Sequence, residues 1–244
     1  MSDWNSQARV AAASRADMAV DAGLRNFMLG VFNKMGLGLL LSAALAYAVG
    51  SNEQLTFTLL APPLGYVVMF GPLAILLVSG FVMRNPSPVA ANFVYWSVVA
   101  LMGIGLGGIV FVYSRQAAGM TTVAEAFLIT AASFGALSLW GYTTKKDLSA
   151  FGTFLIMGVV GLVIASVVNM FVHSSALSFA ISAIGVLVFA GLTAFHTQRL
   201  KHTYYQLGGD ARATSVVTTY GALSLYLDFI NLFLFILRLM SPRN

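Results

Sequence analysis

The 244-residue sequence contains no cysteine. Disulfide staples and thiolate metal sites are thereby excluded, and cysteine usage leaves the redox compartment open. Charge is nearly as scarce. Only 9% of residues are Asp, Glu, Lys or Arg, against about a quarter in a soluble globular domain. With 59% hydrophobic residues and a mean hydropathy of +0.85, the chain carries more apolar surface than its own core can hide. The solvent that accepts such surface is a lipid bilayer, the first partner expected. The net charge of +5 and pI of about 9.6 rest on too few charges to make a nucleic-acid surface, so no nucleic-acid partner is expected. They read as the cationic bias of loops on one side of a membrane. The N-terminal "MSDWNSQARVAAASRADMAVDAGLRNF" is polar and mixed in charge. It has no apolar run before an A-x-A-like site and does not read as a cleaved signal.

What is present is a regular series of apolar stretches. Seven are long enough to span, near residues 22–49, 64–83, 89–113, 122–142, 151–172, 177–195 and 215–240, given that a spanning helix needs ~20 apolar residues. Polar or turn-forming breaks separate them, the longest being "RLKHTYYQLGGDARA". The expectation is an all-α polytopic membrane protein. It has a polar tail at 1–21, a seven-helix transmembrane domain at 22–240 and a short tail at 241–244, with no internal repeat or second domain. Pro72 lies inside the second span and predicts a bend there, as a hinge or as a fit to the bundle. Gly103 and Gly107, four apart, have the spacing that lets membrane helices approach closely.

Lys and Arg in short loops set orientation. Arg9, Arg15, Arg25, Arg84, Lys145, Lys146, Arg199, Lys201 and Arg212 fall on one face of a seven-span topology, and Arg115, Arg238 and Arg243 on the other. Lys34, inside the first span, belongs to neither count. The bias predicts a cytoplasmic N-terminus. The C-terminus is then outside, or cytoplasmic if the last helix is re-entrant.

The last span reads "LSLYLDFINLFLFIL" and carries Asp228 to mid-depth. An aspartate there costs about 2.5–3.5 kcal/mol on insertion scales and marks a candidate functional site. Ser224 four residues before and Asn231 three after share its helix face, with Gly221 seven before. This polar stripe should face the bundle interior. The bland alternative is a neutral, hydrogen-bonded Asp228 that only locks helices together. His196, closing the sixth span in "LTAFHTQRLK", is a candidate partner if it faces inward. Arg84, at the end of the second span, either snorkels to the interface or folds inward onto a carboxylate. Glu125, in "TTVAEAFLIT", is either an ordinary first-turn acid or the outer end of a cation path. Asp147 is a candidate cap of the fifth helix. His173 and His202 read as loop residues.

The stretches "GALSLYLDFINLFLFILRLM", "GYTTKKDLSAFG" and "AFHTQRLK" resemble the transmembrane Bax inhibitor motif family, in its bacterial branch, and the resemblance covers the chain from about Leu24 onward. It implies a fold whose last helix is central, wrapped by the other six. It also implies a pH-sensitive calcium leak and, for some bacterial members, association with a membrane-bound protease. In the family pattern two aspartates on the sixth and seventh helices share a proton, and an arginine on the second helix latches onto the first. The seventh-helix aspartate maps onto Asp228 and the latch onto Arg84. The sixth-helix aspartate does not carry over, because "DTQ" is here His196-Thr197-Gln198. Two carboxylates repel and raise one another's proton affinity; an imidazole and a carboxylate attract. The pair still titrates, since histidine as a class does so near neutrality. It is less attractive to a hard cation such as Ca²⁺, which wants several oxygen ligands.

Two function classes follow. One is a pH-gated leak for Ca²⁺ or another cation, with Asp228 and His196 as gate and pH sensor, Arg84 as latch and Glu125 as an outer cation-attracting group. The other is a non-conducting regulator of a membrane-bound protease or stress pathway. An enzyme is not expected: no G-x-S-x-G or H-E-x-x-H occurs, and the last span lacks a lysine for a Schiff base. No cofactor is expected, and the residues assign no metal site.

Overall fold

The computed structural model describes residues 2–83 and 85–241, with residues 2–21 and Val82 given by their backbone alone. The described chain is helical, with no strand. In chain order the helices are α1 (Ser2–Gly50), α2 (Glu53–Leu60), α3 (Leu64–Val82), α4 (Pro88–Tyr113), α5 (Gly119–Thr143), α6 (Ser149–Val172), α7 (Ser175–Gln206) and α8 (Ala211–Met240). All but α2 contain a segment long and apolar enough to cross a membrane, α1 from Ala22 onward.

Local chemistry explains the boundaries. Ser87 caps α4 by accepting the Ala90 amide and Pro88 opens the helix, where its missing N–H costs nothing. Ser174 caps α7 through Leu177, and Asp210 caps α8 through Arg212 and Ala213. Pro72 lies within a continuous α3.

Two elements differ from the sequence reading. The break after the first span holds the short helix α2, capped by Asn52. More consequentially, α7 continues to Gln206, so most of the presumed sixth–seventh loop is helix and His202 is a helical residue. Hydropathy drops after Phe195 because the helix leaves the apolar layer, yet nothing breaks the backbone. Thr197, Gln198 and Leu200 are still buried against neighbours. The turn comes only at Gly208 and Gly209, whose positive φ values of 57° and 84° a glycine adopts without strain.

α8 is the most buried span, with 56% of its most apolar stretch inside the protein against 11% for α6. It packs on α1, α4, α5 and α7. α3 packs instead on α4 and α6 on α7, and neither touches the α8 backbone. The "wrapping by six" that the family resemblance implies is thus contact with four, while α3 and α6 face α8 across a cleft. Close approach uses glycines: side chains at Gly103 and Gly107 on α4 would run into Ser42 and Val49 of α1. The outward faces of α3 and α6 are lined with exposed Leu, Val, Met and Phe, as a helix in lipid requires.

Candidate functional site

The site is built where α7 crosses α8. Gly141 of α5 lets the α7 backbone come close at Ala194, two residues before His196. On α8, Gly221 leaves room for Leu200 of α7, and one turn on Ser224 keeps the face small. Antiparallel packing then brings His196 and Asp228 to the same depth. His196 Nδ1 lies 2.6 Å from Asp228 Oδ2, a short contact for a charge-assisted hydrogen bond. The Asp228 side chain is 3% exposed and that of His196 19%. When Asp228 is ionised, Nδ1–H donates to the carboxylate. The other ring nitrogen, Nε2, makes no hydrogen bond to another described residue.

The pair separates two cavities. A cleft of about 970 Å³ runs between α3, α6, α7 and α8 and is lined by both members, with Ser224, Asn231, Asn169 and Arg238. Asn169 reaches from α6 to Ser178 of α7 at 2.7 Å, and Asn231 spends its amide on the Leu227 carbonyl. A smaller cavity of about 240 Å³ lies further along α7, lined by His196, Arg199, Thr203, Tyr220 and Ser224. His196 and Ser224 alone line both. The smaller cavity sits toward the basic face. There the Phe27 and Tyr204 rings meet at 5.2 Å, and Gln198 bonds the α5–α6 loop at Leu148 and Lys146. In that loop Asp147 accepts the Ser149 amide, and hydrogen bonding from Ser149 holds its carboxyl below the usual range.

Of the residues singled out in the sequence, the structure brings together Asp228, His196, Ser224 and Asn231. Glu125 is exposed on α5 and lines neither cavity. Arg84 lies outside the described residues. Arg238, which sequence reading left as a terminal charge, is in the cleft. Its seven-residue separation from Asn231, two turns on along the same helix face, was the available signal. No group of three His, Asp or Glu side chains that could hold a metal ion occurs among the described residues.

Sequence reasoning also passed over a second polar network. Lys34 donates to Asn92 Oδ1 at 2.5 Å and to Thr219 Oγ1 at 2.7 Å, tying α1 to α4 and α8. Tyr95 donates to the Lys34 carbonyl, and the Ser42 and Tyr226 hydroxyls pair at 2.7 Å. A lysine inside an apolar stretch was the signal, since such groups are rare at depth without partners. Arg115 pairs with Glu53 at 3.0 Å on the surface.

Comparison with known proteins places the chain in a lineage. The family model described as "Inhibitor of apoptosis-promoting Bax1" matches residues 24–244. An uncharacterized protein of Caulobacter vibrioides is 52% identical, covering 97% of each chain. The inner membrane protein YbhL of Escherichia coli is 42% identical over 94% of this chain and 98% of its own. A Rickettsia prowazekii protein is 41% identical over 92% of each.

Proposed function

Since the chain belongs to the Bax inhibitor-1-like family, in its bacterial branch, we propose that this integral membrane protein is a pH-sensitive cation leak of the bacterial inner membrane. Its N-terminus is cytoplasmic, and the His196–Asp228 pair is its gate. The observation that carries this reading is the 2.6 Å contact at His196, which lines both cavities. The contact ties α7 to α8 at His196, and the charge that the pair carries decides whether a cation enters there. The inner-membrane assignment follows the named location of the Escherichia coli relative, and the orientation follows the positive-inside bias. The latch role of Arg84 comes from the family pattern alone, and Glu125 lines neither cavity.

The charge balance sets the sign of the pH response. With both members protonated, the cleft carries His196⁺ and Arg238⁺ and repels cations. With the pair holding one proton on imidazole Nδ1, the Asp228 charge is no longer offset by His196, and a cation is drawn in. Flux of Ca²⁺ or another cation into proteoliposomes is therefore expected to rise with pH. The substitution His196→Gln, which keeps a hydrogen bond but cannot titrate, should flatten the profile. No flux above empty vesicles at any pH would end this reading.

A second reading draws on one feature. α1 continues as helix for some twenty residues before its span, about 30 Å at 1.5 Å per residue. Such a rod is a natural handle for a membrane-bound protease that this protein regulates without conducting. Deleting residues 2–21 should abolish co-purification with that protease and leave vesicle flux unchanged. Retained binding would count against the handle.

A further inference from the structure

The bundle holds another large cavity, on the side of α8 away from the cleft. It measures about 500 Å³ and lies between α1, α4, α5 and α8. It exists because α1 and α5 both pack on α8 but do not touch each other. The floor is Phe229, Ile230 and Phe233 of α8, all buried. The rim is open to the membrane, with Tyr47 68% and Leu128 66% exposed.

Its lining is hydrocarbon. The one inner hydroxyl, that of Ser42, is already bonded to Tyr226 and to the Val99 carbonyl at 3.0 Å. Water needs two or more polar partners to occupy a cavity, and the inner wall offers none that is free, the one other hydroxyl of the lining being that of Tyr47 at the exposed rim. An empty apolar slot would forfeit dispersion contacts along its whole wall. The occupant must therefore be apolar.

Its depth says which apolar group. The groove follows α1 from Tyr47 back to Leu39 and α5 from Met120 on to Leu128. Each run is nine residues, whose eight rises of 1.5 Å make about 12 Å. It begins where α1 and α4 end and α5 starts, at one membrane face, and stops at mid-depth. One leaflet of a ~30 Å hydrocarbon core is about 15 Å deep. We infer that this groove holds one acyl chain of a phospholipid from the leaflet at the α1 C-terminal face. The chain lies along Phe229, Ile230 and Phe233, so α8 is bounded by a polar cleft on one side and by lipid on the other.

The test is photolabelling in proteoliposomes made with a phospholipid bearing a diazirine midway along one acyl chain. Labelled peptides are mapped by mass spectrometry. Labels are expected severalfold denser on residues 39–47 and 120–128 than on the exposed face of α3, and a matching diazirine fatty acid should show no such preference. Ala43→Trp and Ala124→Trp, which fill the groove, should lower its labelling to the α3 level, while Leu77→Trp on α3 should not. Even labelling of groove and α3 would overturn the inference, as would unchanged labelling in the filled variants. So would preferential capture of the free fatty acid, or cross-links to a second copy at these residues. If the tryptophan variants fail to fold, the map on the unaltered chain decides alone.

Discussion

His196→Asp is expected to raise calcium flux into proteoliposomes by about tenfold or more, with the gain largest at alkaline pH. The argument is electrostatic. In the native chain the acid at the junction faces an imidazole 2.6 Å away, so one group neutralises the other as soon as the pair takes up a second proton. The substitution removes that positive partner and supplies two more oxygen ligands, which a hard divalent ion needs. Two unit charges 4 Å apart interact by about 4 kcal/mol at an effective dielectric of ~20. Even a third of that is about tenfold in occupancy. The two carboxylates would repel and hold one shared proton near neutrality, so calcium entry should fall on acidification as that proton returns. The measurement is initial flux across a pH series for both chains. Equal flux at every pH would remove His196 from the gate and leave the cleft without a selectivity argument.

The parts of this protein that could be read without coordinates share a physical cause. The seven spans were legible because lipid imposes one length and one composition on any helix that crosses it. Asp228 and His196 stood out because an ionisable group at depth is costly enough to be rare. What could not be read depended on geometry that composition does not encode. The extension of α7 beyond Phe195 has the polarity of a loop, yet Leu200 packs and no glycine intervenes before Gly208. Whether Asp228 and His196 meet depends on glycines on two helices, Gly141 and Gly221, each looking in sequence like any other small residue of a membrane helix. The cleft itself arises from which spans fail to touch, namely α3 and α6 against α8, and no residue type announces a missing contact. Lys34 was visible as an anomaly, but its partners Asn92 and Thr219 are 58 and 185 residues away.

The pair's energetics can be separated from its function by a double-mutant cycle. His196→Leu leaves the Asp228 carboxylate buried without its partner, and breaking a buried pair in this way typically costs about 3–5 kcal/mol. Asp228→Leu should cost less, because His196 is the more exposed member and can remain as a neutral imidazole. The combined variant replaces both with apolar groups in an apolar bundle and should recover most of the loss, as such replacements elsewhere are neutral or stabilising. Thermal unfolding in detergent for the four chains gives the coupling, and additive losses would mean that the contact contributes nothing specific. Flux then decides what the contact is for. If the pair is only a lock, the combined variant should fold and behave like the native protein in every vesicle assay. If it is the gate, that variant should be stable but lose the rise of flux with pH, because nothing that titrates remains at the junction of the two cavities.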